Sequence, residues 1–416
     1  MKLALLYAFR DSEWKSCVSI TQNIKHSYEA LDHELKSFDY DHLKGELHLE
    51  DLADELKEFS PDKIVFIDHR PTPKQLLARL VKRDLNVPLI IHLYGDFSVY
   101  CNDWLEQESL LKNFKVKFIT ASTKQQKLVS QFINSSEDIV HRVPFSVNTE
   151  TFIYEEDKVE QFYNDYKLDK SKIHFIYAGR ITTQKNIIDL ANIFKRMIDR
   201  YKNEMTLLIA GDVDDMGEPF HGNYLAPGTT QLQLSKSLSP HIKWIGSLSS
   251  KELAVAYSAC DAFVSLSTFH DEDFGMAPLE AACTGTSIIL TSWGGYTDFI
   301  DKLKNTKSVK VSLNENYRYS FDQQQVTQLL LEQKKITAED RTAQIKTVNK
   351  QFSIKEISQQ TDLLIKKEDN YFPGFNHSFW KFTNCFRTSP DAPFKTLGDN
   401  NDIQKVYTEA YNAYSL

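Results

Sequence analysis

The residue types best suited to bind a diphosphate come directly after a short apolar run at residues 175–178. Gly179 lets the backbone turn closely, Arg180 offers a planar fork of hydrogen-bond donors, and Lys185 adds a point charge. A helix is predicted to follow, and the N-terminus of a helix itself favours anions. These residues predict a diphosphate site, and a pair of solvated surface cations is the alternative.

A second polar segment follows the apolar run at residues 262–266 and carries two glutamates, Glu272 and Glu280, with seven residues between them. Gly275 permits close backbone approach, and a helix is expected to begin near Met276. A carboxylate one turn into that helix can accept hydrogen bonds from a vicinal diol such as a ribose, which suits Glu280. A carboxylate that only complements the helix dipole would explain Glu280, but not the whole segment.

Both segments need a parallel sheet to position them. Apolar runs without alternation indicate strands buried on both faces, and they occur at residues 3–9, 63–68, 87–92, 116–120, 174–178, 206–210, 242–245, 262–266 and 287–291. Helical spacing lies between several of them, at residues 51–59, 72–84 and 186–201. The order restarts after about residue 165, so we expect two open α/β sheets with ligands at the carboxyl ends of their strands.

Length and composition exclude several classes of protein. A chain of 416 residues is too long for one compact core, and a net charge of -8 argues against a nucleic-acid binder. Its five cysteines are widely spaced, which favours free thiols in a reducing cytoplasm over a zinc site or a disulfide framework. Since no apolar stretch approaches the ~20 residues that span a bilayer, any membrane contact is expected to be peripheral.

Three further short sequences resemble segments of a known family. They are Val-Pro-Phe-Ser-Val-Asn-Thr at 143–149, Leu-Ile-Ala-Gly-Asp at 208–212 and Gly-Gly at 294–295. With the paired glutamates, they make residues 143–365 resemble glycosyltransferase family four, a retaining group with the GT-B fold. The resemblance implies an α/β protein with two Rossmann-like domains facing across a cleft. The implied parts are an acceptor-side domain at 1–165, a nucleotide-sugar donor domain at 166–350, and a closing C-terminal helix from residue 351. The aromatic-rich tail after Lys367 has no counterpart in the family, and we expect the segment at 351–416 to pack back across the domains.

The resemblance also assigns roles to the residues of the two polar segments. Arg180 and Lys185 would hold the donor diphosphate. Glu280 would bind the ribose hydroxyls, and Glu272 would touch hydroxyls of the transferred sugar. Backbone amides would face the sugar and phosphate at three successive residues, Phe274, Gly275 and Met276. The residues implied in catalysis are Glu272, His92, Arg180 and Lys185.

In the first half of the chain, His92 stands at a predicted strand end, where the family often places a histidine near the reacting sugar. A structural histidine is the alternative. Asp96 and residues 68–70 also follow predicted strands and are candidates to meet the acceptor. The Gly-Gly loop that many members carry after the first strand is missing here, and Arg10 or Trp14 is a candidate to replace its function.

The implied reaction is transfer of a hexosyl or related group from a nucleotide-diphosphate sugar to an acceptor hydroxyl, with retention at the anomeric carbon. The acceptor would be a glycan, a lipid-linked saccharide or another hydroxyl compound. Two rivals remain: a nucleotide-sugar epimerase of GT-B fold, and a non-catalytic nucleotide-binding scaffold. We expect a cytoplasmic protein. A peripheral contact with the inner face of the membrane is left open by the basic residues of the predicted helix at 72–84.

No cofactor and no metal are expected. Three Asp-x-Asp strings, at 39–41, 212–214 and 271–273, are candidate sites for a divalent ion. Arg180 and Lys185, however, already supply two positive charges to the same diphosphate, so a dication there would be redundant. Hard-ion sites also need several converging oxygen ligands.

Overall fold

The structure is a computed structural model in which the chain forms two compact α/β units. One unit combines residues 1–146 with residues 354–387, and the other combines residues 147–353 with residues 388–416. Each unit is therefore assembled from two separate stretches of the chain. The residues that the structure describes are 1–10, 15–41, 44–68, 70–72, 74–95, 97–98, 100–202, 204–214, 227–269, 272–315, 318–383 and 401–415.

Strands and helices alternate along most of the chain, which confirms the predicted α/β class. The strands are β1 (Lys2–Tyr7), β2 (Glu34–Asp39), β3 (Lys63–Ile67), β4 (Leu89–His92), β5 (Val116–Thr120), β6 (Val140–Arg142), β7 (Ile173–Ala178), β8 (Met205–Ala210), β9 (Ile242–Gly246), β10 (Ala262–Ser265), β11 (Ser287–Thr291), β12 (Thr306–Val309), β13 (Val311–Leu313) and β14 (Tyr319–Phe321). The helices are α1 (Lys15–Glu29), α2 (Gly45–Phe59), α3 (Lys74–Lys82), α4 (Cys101–Glu106), α5 (Glu108–Leu111), α6 (Thr123–Ser130), α7 (Glu156–Asp165), α8 (Ile187–Tyr201), α9 (Pro227–Ser237), α10 (Ser250–Ala259), α11 (Met276–Cys283), α12 (Thr297–Lys302), α13 (Gln323–Leu331), α14 (Ala338–Phe352), α15 (Ile354–Ile365), α16 (His377–Thr383) and α17 (Asn401–Tyr411).

The first unit is built on a six-stranded sheet in the order β2-β1-β3-β4-β5-β6. Every neighbouring pair is parallel. Strands β3, β4 and β5 are buried over their whole length, as expected for parallel strands that are covered on both faces. The order reverses between β1 and β3, so the residues that follow these two strands meet at one edge of the sheet.

The second unit is built on another six-stranded parallel sheet, in the order β12-β11-β10-β7-β8-β9. Counted from β7, this is the order 6-5-4-1-2-3, which is that of the dinucleotide-binding Rossmann fold. A small antiparallel hairpin of β13 and β14 follows it in the chain. The strand order reverses between β7 and β10. Residues after these two strands therefore border the crevice in which ligands of such sheets bind.

The division between the units differs from the predicted domain boundary at residues 165/166. Helix α7 precedes that boundary but packs on α10 of the second unit. The Tyr163 hydroxyl, on α7, donates a hydrogen bond of 2.8 Å to the carbonyl of Ala259, the last residue of α10. These contacts place α7 in the second unit, which begins at Val147.

The aromatic residues that follow α15 pack onto the sheet of the first unit. Phe379 of α16 stacks on Phe97 with ring centroids 5.2 Å apart, and its ring lies 4.9 Å from that of Phe132. Phe372 meets Phe118 of β5 edge-on at 5.9 Å. Burying a side chain of this size contributes roughly 1.5–3 kcal/mol, so the segment is part of the core of this unit.

Candidate functional site

The segments that follow β7 and β10 lie side by side, because the two strands are parallel neighbours. Asn186 joins them directly. Its side-chain amide donates to the Leu266 carbonyl at 2.8 Å and to the Thr268 hydroxyl at 3.2 Å. Its backbone is left-handed, with φ of 52°, a conformation that asparagine adopts more readily than most residues. The predicted diphosphate loop and the glutamate-bearing loop therefore meet where the strand order reverses.

Lys185 and Glu272 form an ion pair across these two loops. The distance from Lys185 Nζ to Glu272 Oε2 is 2.8 Å, and Glu272 is only 6% exposed. Burial raises the pKa of Glu272. The charge and hydrogen bond of Lys185, with hydrogen bonds from Ser267 and Tyr296, outweigh burial, so the pKa falls below its ordinary value of 4.5. Glu272 is therefore an ionised carboxylate that can accept hydrogen bonds from sugar hydroxyls.

Arg180 also lies beside a carboxylate of its own unit. Its Nη1 is 3.5 Å from Asp214 Oδ2, and its backbone carbonyl accepts a hydrogen bond of 2.7 Å from the Tyr177 hydroxyl. Asp214 is the second acid of the Asp-x-Asp string at 212–214. Because both predicted diphosphate-binding cations are paired with carboxylates, diphosphate binding is expected to rearrange these pairs.

Two buried tyrosines, Tyr177 and Tyr257, interact electrostatically with residues of the predicted donor site. Burial raises the pKa of Tyr177; the charge of Glu272 raises it further and that of Arg180 opposes it. Burial also raises the pKa of Tyr257, with further contributions from Glu280 and then Tyr177. Tyr177 thus lies within electrostatic range of Glu272 and Arg180, and Tyr257 within that of Glu280 and Tyr177.

Glu280 lies in the second turn of α11, which begins at Met276 as predicted. It is 8% exposed, and burial raises its pKa from 4.5 to about 7. A carboxyl group with this pKa changes its protonation state near neutral pH. Glu280 is therefore not a permanently charged surface residue that only complements the helix dipole.

Gly275 directly precedes α11 and has a φ of 103°, which only glycine adopts readily. A Cβ atom here would lie 2.6 Å from Cε1 of Tyr296, closer than van der Waals contact allows. The neighbouring Phe274 packs against Phe299 and Phe352 at 5.1 and 6.1 Å between ring centroids. This turn is therefore fixed in shape on both sides, and it sets the direction in which α11 begins.

His92 ends β4 of the first unit and is buried. Its Nε2 lies 3.0 Å from the hydroxyl of Tyr28, and the two rings meet edge-on. Burial lowers the pKa of His92 to about 3, so its imidazole is neutral. The contact with Tyr28 is what a structural histidine would make. Its catalytic role stays a prediction.

The other candidates of the first unit follow the strands at the reversal point of its sheet. The Arg10 guanidinium donates through Nε to Asp41 at 2.8 Å, and the amide of Arg70 donates to the Asp68 carboxylate at 3.1 Å. Several sequence candidates lie outside the residues that the structure describes, namely Trp14, His69, Asp96, Asp271 and most of the loop at 212–230.

Sequence reasoning gave no supporting role to Tyr296 or Asn186 and considered Asp214 only as a candidate metal ligand, yet these three residues contact the predicted ones. Tyr296 hydrogen-bonds to Glu272, and its hydroxyl lies 2.9 Å from that of Ser265. The Gly-Gly string that precedes Tyr296 signalled a close turn here. No comparable signal identifies Asp214 as the partner of Arg180, because that contact depends on tertiary structure.

Two of the four basic residues of the predicted helix at 72–84, Arg79 and Arg83, are paired with acidic residues. Arg79 contacts Glu50 at 2.8 Å and Glu46 at 3.3 Å, and Arg83 contacts Asp54 and Glu50 at 2.7 Å each. Acidic side chains of α2 therefore neutralise Arg79 of α3 and Arg83, which directly follows it. Within the described residues, no helix has the length and apolar composition to cross a membrane, and no three His, Cys, Asp or Glu side chains cluster as metal ligands would.

Comparison with known proteins connects this site to glycosyl transfer. Residues 158–318, which include Arg180, Lys185, Glu272 and Glu280, match the family described as Glycosyl transferases group 1. An uncharacterised glycosyltransferase of Methanocaldococcus jannaschii is 25% identical over 185 residues, 44% of this chain and 44% of that protein. The chain thus spans less than half the length of this curated relative. Both matches support a glycosyl-transfer function.

Solved structures extend the comparison to most of the chain. Anabaena HepE, solved with UDP and glucose, aligns with a TM-score of 0.62 at 14% identity over 88% of this chain and 100% of its own. Sucrose-phosphate synthase from Thermosynechococcus elongatus aligns with a TM-score of 0.64 at 14% identity over 88% and 98%. The fold is GT-B. At this identity the likeness establishes the GT-B fold alone, which confirms the predicted fold class of two Rossmann-like domains.

Proposed function

We propose that the chain transfers a hexosyl or related group from a nucleotide-diphosphate sugar to an acceptor hydroxyl, with retention at the anomeric carbon. The observation that carries the proposal is the Lys185–Glu272 pair at the reversal point of the second sheet. In this proposal Lys185 is the cation for the phosphate, and Glu272, 2.8 Å away, is the carboxylate for the sugar hydroxyls. Anabaena HepE, which has the same fold, is solved with UDP and glucose and with UDP-glucose, which supports a nucleotide sugar as donor.

The proposed chemistry follows from the charge that develops in the reaction. As the bond between the sugar and the diphosphate breaks, negative charge grows on the departing phosphate. Cations already in position lower the energy of that state most. Arg180 and Lys185 supply two positive charges. Glu272 holds Lys185 in place and accepts hydrogen bonds from the transferred sugar, while ionised Glu280 accepts from the ribose.

We propose further that the reaction needs no divalent metal and no resident cofactor. Arg180 and Lys185 would neutralise the diphosphate that a metal neutralises in other enzymes. Asp214, from the Asp-x-Asp string that follows β8, contacts Arg180 at 3.5 Å. The test is turnover after exhaustive chelation. Activity that vanishes with the chelator and returns with manganese or magnesium would contradict this part of the proposal.

The full chain should be incubated with a panel of nucleotide sugars and hydroxyl acceptors. Released nucleoside diphosphate, the glycoside product and its anomeric configuration are then measured. Arg180→Ala should lose about tenfold to a hundredfold in kcat/KM, since a hydrogen bond to a charged group contributes roughly 1.5–3 kcal/mol. Lys158→Ala is the matched control, because Lys158 pairs with exposed Glu155 on the surface.

The panel also separates the two rival functions. An epimeric nucleotide sugar that forms without an acceptor would identify an epimerase. Nucleotide binding without consumption of any donor would identify a scaffold. Wild-type kinetics in Arg180→Ala would show that this loop takes no part in the reaction.

A further inference from the structure

The C-terminal segment at residues 405–415 packs into the second unit beside the donor motif. It comprises the end of α17 and a turn of 3-10 helix at Asn412–Tyr414. Tyr407, Tyr411 and Tyr414 are each 0% exposed. The Tyr414 ring meets Trp293 edge-on at 5.7 Å, and the Tyr319 hydroxyl donates to the Thr408 carbonyl at 2.8 Å.

The hydroxyl of Tyr414 donates a hydrogen bond to the carboxylate of Asp273, the residue that follows Glu272. Asp273 is itself buried. A buried carboxylate is costly unless it accepts hydrogen bonds, and bonds from hydroxyl groups to carboxylates are among the stronger ones. The end of the chain thus contributes a polar contact to the loop that carries the proposed sugar-binding residue.

The backbone of the same loop also lies against two glycines, Gly294 and Gly295. The Gly295 amide donates to the Glu272 carbonyl at 2.7 Å. Gly294 has a φ of 52°, and a Cβ atom there would lie 2.3 Å from that carbonyl oxygen and 2.9 Å from Cδ2 of Tyr414. Gly294 therefore lies between the Tyr414 ring and the backbone of Glu272, with no room for a side chain.

We propose that Tyr414 is a positioning residue of the donor site, which fixes the loop of Glu272 and Asp273 through its hydroxyl and its ring. The inference rests on the proposed function. Tyr414 acts through Asp273 and the backbone of Glu272, and it is assigned no contact with the donor. Reactions in enzymes are sensitive to small displacements, and a misplacement of about 1 Å can cost about a hundredfold in rate. Loss of the hydroxyl is therefore expected to reduce kcat.

The test is Tyr414→Phe in the full chain, with Tyr407→Phe as control. Both variants remove one buried tyrosine hydroxyl from the same segment and keep the ring. For Tyr414→Phe we expect kcat to fall about tenfold or more, with the KM for the donor and nucleoside diphosphate binding little changed. The donor KM and the affinity for nucleoside diphosphate should stay the same because Arg180, Lys185 and Glu280 are unchanged in this variant. Tyr407→Phe should retain the wild-type kcat.

A double-mutant cycle with Asp273→Asn tests whether the two residues act as a unit. If Tyr414 acts through Asp273, the double variant should be no slower than the slower single variant. Fully additive losses would overturn this route of action. Wild-type kcat in Tyr414→Phe, with an active parent enzyme, would overturn the proposal itself.

A measurement that needs no turnover separates this proposal from the proposed function. Hydrogen exchange of the amides at residues 272–276 should be faster in Tyr414→Phe than in wild type, while exchange in α8 stays the same. Equal exchange at 272–276 would overturn the positioning role. Faster exchange in a chain that consumes no donor would instead support the role of Tyr414 and overturn the proposed glycosyl transfer.

Discussion

Lys185 and Glu272 belong to loops that follow different strands, yet Lys185 Nζ lies 2.8 Å from Glu272 Oε2. The next residue, Asn186, fixes the same two loops to each other through the Leu266 carbonyl. The cation of the proposed diphosphate site is thus held by the carboxylate of the proposed sugar site. Removing either charge should therefore affect both binding and stability.

Lys185→Ala should lower the free energy of unfolding by up to about 3 kcal/mol near neutral pH, because it leaves Glu272 buried without its cation. In wild type the pKa of Glu272 lies below its ordinary 4.5, so the stability it contributes is present above that pH and lost as the pH falls. In the variant, the pKa is expected to rise, so stability should fall as the pH increases. Chemical denaturation between about pH 4 and pH 8 measures the difference.

The double variant Lys185→Ala with Glu272→Gln is the control, since it removes the uncompensated charge together with the cation. It should recover most of the lost stability near neutral pH. Parallel stability curves for wild type and Lys185→Ala across this pH range would show that the pair is energetically unimportant.

Glu280→Gln should increase stability at alkaline pH. The pKa of Glu280 is raised from 4.5 to about 7 in the folded chain. The stability that depends on its neutral carboxyl group is therefore fully present below about pH 4.5. That contribution is lost as the pH rises through about 7. The shift corresponds to about 3 kcal/mol of stability. At about pH 8, chemical denaturation should show that the variant is more stable than wild type by about this amount.

The same substitution should weaken the binding of a nucleoside diphosphate, and more strongly at alkaline pH, where wild-type Glu280 is ionised. Glu339→Gln is a matched control, because Glu339 also lies near the start of a helix but is exposed. Isothermal titration calorimetry of both variants tests the proposed ribose contact. Equal affinity in wild type and Glu280→Gln at alkaline pH would remove Glu280 from the binding site.

Gly275→Ala should impair both folding stability and turnover, because a Cβ atom would lie 2.6 Å from Tyr296 at a φ of 103°. A loss of roughly 1–3 kcal/mol is expected from the strained backbone. Gly228→Ala is the control, since a Cβ atom at Gly228 meets nothing within 4 Å. Thermal unfolding compares the two variants, and an equally stable pair would contradict the tight turn before α11.

His92 should remain neutral through the physiological pH range. Burial lowers its pKa from 6.5 to about 3, so the stability that depends on the neutral ring is present above about pH 6.5 and is lost as the pH falls towards 3. The imidazole proton resonances of His92, assigned with a His92→Gln spectrum, should not shift between about pH 5 and pH 8. A midpoint near 6.5 would show that the ring is solvated.

The central strands of both sheets were predictable because both of their faces are buried, which leaves a continuous apolar run. The predicted strands at 116–120 and 287–291 coincide with β5 and β11. Edge strand β2 was missed, since its sequence Glu-Leu-Lys-Ser-Phe-Asp has only two apolar residues, three positions apart, and shows neither an apolar run nor a regular alternation. A single covered face produces a weaker pattern than two covered faces do.

The loops of the candidate site were predictable to a similar degree. Glycines and charged residues directly after buried strands predicted that these loops form a site, and the structure brings the loops after β7 and β10 together. What the sequence could not indicate is how those charges are paired, since Asp214 meets Arg180 only in the folded chain. One sequence pattern does indicate that the segment of Tyr414 is packed against the protein. Tyr407, Tyr411 and Tyr414 have the spacing of residues on one face of a helix.

The construction of each unit from two separated stretches has a consequence for synthesis on the ribosome. The sheet of the first unit is complete once Arg142 has emerged, but the aromatic residues that cover Phe97, Phe118 and Phe132 are made only after residue 370. At about 5–20 residues per second, translation of the intervening stretch takes roughly 10 s or more. During that interval the nascent sheet presents an apolar surface, which makes the unfinished chain a natural client for cellular chaperones.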